Sequence, residues 1–120
     1  MNRLYRAKRE DNGKWVEGYY LCLNPNLKGE LHIIVDVRGE YHRIDADTLG
    51  QNTGMLDKLG RLIYEGDMLN REGSIKQQGY VVKYDEREAS WYAEADDDSI
   101  YLCEVHWEII GNVHEIYEDD

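Results

Sequence analysis

No stretch of this chain carries apolar residues at helical spacing, and that absence decides most of what it can fold into. Short runs rich in aromatic and β-branched residues alternate with turn formers instead, at intervals of roughly eight to twelve positions. The pattern predicts strands over residues 4–9 and 15–23, joined through Asp11-Asn12-Gly13, whose Gly supplies a positive φ. A second hairpin is predicted over 31–37 and 40–44, turning at Arg38-Gly39. Asp45-Ala46-Asp47-Thr48 reads as the cap of one short helical turn near 45–50. Further strands are predicted over 61–64, 68–70, 79–84, 90–93 and 109–116, the last broken at Gly111 by a bulge or a close backbone approach. The clearest period-two run is Tyr101, Cys103, Val105 and Trp107, which predicts a strand with those four facing a core. The fold class is therefore mainly all-β, of a small barrel or sandwich type.

Charge divides the chain. Residues 1–60 hold 9 Lys+Arg against 9 Asp+Glu, whereas residues 61–120 hold 5 against 16, so the net −11 lies in the second half. The expected organisation is one domain over 1–120, with a subdivision into 1–60 and 61–120 as the alternative. An acidic surface repels a nucleic-acid backbone and attracts basic partners, and it also keeps a small protein soluble. No run of eighteen apolar residues is present, and the first residues lack the apolar core of a signal peptide, so a cytoplasmic protein is expected. Cys22 and Cys103 then read as free, mostly buried thiols, with a disulfide as the alternative for an exported chain.

Three segments carry a family resemblance. They are Tyr5-Arg6-Ala7-Lys8-Arg9 with Asp11-Asn12-Gly13-Lys14-Trp15-Val16 and Gly18-Tyr19; Gly50 to Gly60 with Ile63-Tyr64-Glu65-Gly66-Asp67; and Ile109-Ile110-Gly111-Asn112-Val113-His114-Glu115. In content and order they resemble the YopX family. The resemblance implies a protein of phages or prophages in a bacterial host, and a β-rich fold whose later half is similar to an SH3-type barrel. It implies no activity and supplies no site residues. The residues themselves favour a structural role: Gly66 and Asp67 suit a tight corner, and Thr53-Gly54 and Leu59-Gly60 read as further turns.

Chemistry is sparse. Cys103, His106 and His114 lack the second ligand pair of a zinc site, so no metal and no cofactor is expected. There is no nucleophile elbow and no phosphate loop, and no catalytic residue is assigned. Asp96, Asp97 and Asp98 read as a solvated hairpin loop and as the candidate contact for a basic partner. Arg6, Lys8, Arg9 and Trp15, near Arg3, Lys14, Tyr5, Tyr19 and Tyr20, form the candidate contact for nucleic acid. The expectation is a non-enzymatic interaction module for a basic host or phage protein. A binder of single-stranded nucleic acid is the alternative, and wet aromatics with open strand edges leave room for homo-oligomers.

Overall fold

The computed structural model describes residues 4–73, 79–96 and 98–115. These form two compact units, Met1–Asn52 and Thr53–Asp120. The first holds 8 Lys+Arg against 8 Asp+Glu and the second 6 against 17, so the charge division coincides with a structural one.

The first unit contains β1 (Tyr5–Lys8), β2 (Trp15–Leu23), β3 (Leu31–Val35), β4 (Tyr41–Arg43) and the start of β5 (Gly50–Leu56). Sequential antiparallel pairing sets the order β4-β3-β2-β1, and β1 pairs on its other edge with Gly50 and Gln51 of β5. The turns form as their residues dictate. Gly13 has φ +68, and the Lys14 amide donates to Asn12 Oδ1 at 2.9 Å. Asp45 caps a 3-10 turn at Ala46–Thr48, accepting the Asp47 amide at 3.1 Å. Ala7, Ile34 and Ile44 form a small core, with Tyr5, Val16, Tyr20 and Leu49 packed around it. Gly18 is obligatory: a Cβ there would sit 2.0 Å from the Val35 carbonyl oxygen.

The second unit holds the rest of β5, then β6 (Leu62–Tyr64), β7 (Asp67–Arg71), β8 (Tyr80–Asp85), β9 (Ser90–Ala95), β10 (Asp98–Tyr101) and β11 (Trp107–Asn112). β5 and β6 are neighbours, and the last five strands form an antiparallel sheet in the order β10-β9-β8-β7-β11. Four strands run as a meander, and the fifth returns to the free edge of the first. Ile63, Leu69, Tyr80, Val82, Ala93, Leu102 and Trp107 make the core. The mainly-β class holds, with β10 and β11 as open edges of this sheet, so the barrel type is not closed. The register of β11 against β7 shifts between Ile109 and Gly111, which is the expected bulge.

Three expectations need correction. Residues 101–107 are not a strand: β10 ends at Tyr101, and Leu102–Glu104 is a 3-10 turn. Leu102 is buried and Cys103 exposed, the reverse of the expected faces, because a 3-10 turn rotates successive side chains by a third of a circle and not a half. Cys103 is thus not a buried thiol, and Cys22 is half-buried. Thr53-Gly54 is no turn but lies inside β5, with Gly54 at φ +79.

Candidate functional site

On the amino-terminal hairpin, Lys8 lies directly opposite Trp15 and Arg6 opposite Glu17. This register places both cations over the indole: the Arg6 guanidinium carbon is 4.8 Å from the ring centroid and Lys8 Nζ is 5.5 Å away. The structure therefore brings Arg6, Lys8 and Trp15 together, with the Trp15 ring already engaged by cations of its own chain. Arg9 is turned elsewhere and pairs with Asp11 at 2.6 Å. Tyr5 and Tyr20 pack on the core with ring centroids 5.6 Å apart, while Tyr19 is exposed. Arg3 lies outside the described residues.

The acidic hairpin is shorter than expected, since Asp98 is already the first residue of β10. Asp96 is exposed and Asp97 lies outside the described residues. Asp98 accepts a hydrogen bond from the Tyr80 hydroxyl at 2.7 Å, and this bond raises the Tyr80 pKa. Asp96 and Asp98 line an open cleft of about 790 Å³ with Val81, Lys83, Glu94 and Ser99. Lys83 is held by Glu94 at 2.7 Å, which raises the lysine pKa and neutralises its charge locally.

The residues of the central motif hold turns in place. Asp57 is the focus of the β5–β6 turn, with no side-chain exposure. Its Oδ1 accepts the Leu59 and Arg61 amides at 3.0 and 2.8 Å, and its Oδ2 accepts Arg61 Nε at 3.0 Å and the Ile109 amide at 3.1 Å. Burial raises the pKa of this carboxyl, but the donated hydrogen bonds outweigh it and the net shift is downward. Arg61 also donates to the Ile109 carbonyl at 2.8 Å. Asp67, likewise buried, accepts the Tyr64 amide at 2.8 Å across Gly66, whose φ of +87 closes the corner. A family model described as YopX protein matches residues 4–118. The chain belongs to the YopX family. Comparisons with curated proteins and with solved structures returned no match. In this YopX chain, the central motif is thus a set of buried carboxylates and glycine corners that tie turns to strands.

Two mixed clusters escaped sequence reasoning, both in the first unit. In one, Cys22 and His32 face each other across β2 and β3, and Glu30 reaches back to both. Cys22 Sγ donates to Glu30 Oε1 at 3.2 Å, which raises the thiol pKa. In the other, Asp36, Glu40 and His42 meet at the β3–β4 turn. There His42 Nε2 lies 2.8 Å from Asp36 Oδ2, and Oδ1 accepts the Arg38 and Glu40 amides, which together lower the Asp36 pKa. The register of β2 on β3 would have revealed the first cluster. It spans a loop whose length sequence patterning left open. Cys103 and His106 are both exposed, and no potential metal-ligand group among the described residues includes them.

Proposed function

We propose that this protein is a non-enzymatic interaction module whose acidic second unit docks a basic segment of a host or phage protein. The observation that carries this reading is the cleft of Glu94, Asp96 and Asp98, whose Lys83 is already paired, on the unit that holds the whole net charge. A carboxylate-lined cleft attracts Lys- and Arg-rich chains and speeds encounter. The returning strand order, with a 3-10 turn before the last strand, supports the SH3-type likeness, an architecture suited to binding extended segments. Cytoplasmic residence in a bacterial host belongs to the same proposal. Among the described residues, no helix is long and apolar enough to cross a membrane. Affinity capture of partners at low and high salt tests the reading: salt-sensitive recovery of a basic protein supports it, and equal recovery at both contradicts it.

Two further readings rest on particular observations. The outer row of β2, with Tyr19, Leu21 and Leu23 exposed beside Tyr41 of β4, favours self-association through that face. Light scattering on a size-exclusion column decides it, a monomer counting against it. The Arg6–Lys8–Trp15 patch favours single-stranded nucleic acid. Quenching of Trp15 by oligonucleotides at low salt supports that reading, and unchanged fluorescence removes it.

A further inference from the structure

We propose that Cys22, Glu30 and His32 form a binding site for a divalent cation of the zinc type, independent of the docking function. The ligand set is a thiol, a carboxylate and an imidazole, the three donor types that zinc takes. Cys22 Sγ and Glu30 Oε1 are 3.2 Å apart, Glu30 Oε1 and His32 Nε2 are 3.8 Å apart, and all three atoms lie within 4.8 Å of one another. Metal–ligand bonds of about 2.0–2.3 Å around a tetrahedron place neighbouring ligands roughly 3.3–3.8 Å apart. Two of the three edges are therefore close to that length before any ion is present.

The backbone sets this geometry. Cys22 and His32 are direct cross-strand partners, so their Cβ atoms project to one face of the sheet. Tyr20, two residues before Cys22, shares that face. Its hydroxyl oxygen lies 2.6 Å from His32 Nδ1, and its ring stacks on the imidazole at 6.0 Å with planes 4° apart. With Nδ1–H donating to the Tyr20 oxygen, the Nε2 lone pair is turned toward Glu30 and Cys22. A ligating histidine is commonly oriented through its second nitrogen in this way, and Tyr20 acts here as a positioning residue. Glu30 is exposed, which leaves the fourth position to solvent water. On binding, the Cys22 S–H bond is replaced by a metal–sulfur bond and the proton passes to solvent. The Asp36–Glu40–His42 cluster is a poorer candidate, because Asp36 already accepts two amides and the His42 contact.

The test titrates the full chain with Co²⁺ and then Zn²⁺ under reducing conditions, following thiolate-to-cobalt charge transfer. The expected result is a band that saturates at one Co²⁺ per chain and is abolished by Zn²⁺. Cys22→Ser removes the band, Cys103→Ser and Asp36→Asn retain it, and Tyr20→Phe weakens zinc binding by roughly ten- to a hundredfold. Absence of the band from the unmodified chain overturns the proposal. A band that survives Cys22→Ser but disappears with Cys103→Ser overturns it as well.

Discussion

The two units solve the same stability problem differently. The first packs a core of three buried apolar side chains under cross-strand pairs and leaves its polar clusters at the rim. The second has seven buried apolar residues in its core and also buries Asp57 and Asp67, each accepting backbone amides. Buried carboxylates that accept several hydrogen bonds specify one arrangement of the chain, because losing the carboxylate strands several donors at once. The central family motif belongs to the second solution. Among the described residues, the mixed clusters of thiol, carboxylate and imidazole groups belong to the first, where they are within reach of solvent. The net charge is a separate matter, and all of it falls in the second unit.

The largest effect that would break this contrast is at Asp57. Asp57→Ala leaves Arg61 and the amides of Leu59 and Ile109 without their acceptor, and is expected to cost about 3–5 kcal/mol in urea denaturation. A loss below about 1 kcal/mol would mean that the node is ornamental. For the first unit, the corresponding change is steric and not polar. Gly18→Ala drives a methyl group to 2.0 Å from a backbone oxygen and 2.9 Å from Ile34 Cγ2, with an expected cost of about 3 kcal/mol.

Acid sharpens the comparison further. The folded pKa of Asp57 lies below its unfolded value of about 3.9, so its contribution is complete above that pH and is lost as pH falls through the folded pKa. Acid unfolding of Asp57→Asn should therefore show a shallower dependence on pH below about 4 than the unmodified chain. An identical slope would shift the titrating group to another carboxylate, such as Asp36, whose pKa is also lowered. The smallest expected change is Lys83→Ala. It removes a solvent-exposed ion pair, so stability should move by less than about 0.5 kcal/mol while binding of a basic peptide at the cleft strengthens.

Much of the fold could be read locally. Gly13, the Asp45 cap and the Gly111 bulge each act through neighbouring backbone, and each stands where its residue type demands. The alternation from Tyr101 to Trp107 misled because period two is shared by a strand and by chance, and only the burial of Leu102 in the core, with its carbonyl accepting from the Trp107 indole, separates them. The turn at Leu59-Gly60 was legible, but the bond that Asp57 accepts from an amide 52 residues away was not. Of the candidate nucleic-acid contacts, Arg6, Lys8 and Trp15 meet because a tight hairpin fixes their register, whereas Arg9 turns to Asp11. Cys22, Glu30 and His32 were missed because their meeting depends on the length of the β2–β3 loop.

Whether the second unit is the docking surface can be decided by NMR titration of the full chain with a Lys/Arg-rich peptide at two salt concentrations. Salt-sensitive shifts are expected at the amides of Val81, Lys83, Glu94, Asp96, Asp98 and Ser99, reduced in the Asp96→Asn/Asp98→Asn variant. Shifts confined to residues 4–52, or none at low salt, would contradict a docking role for that unit.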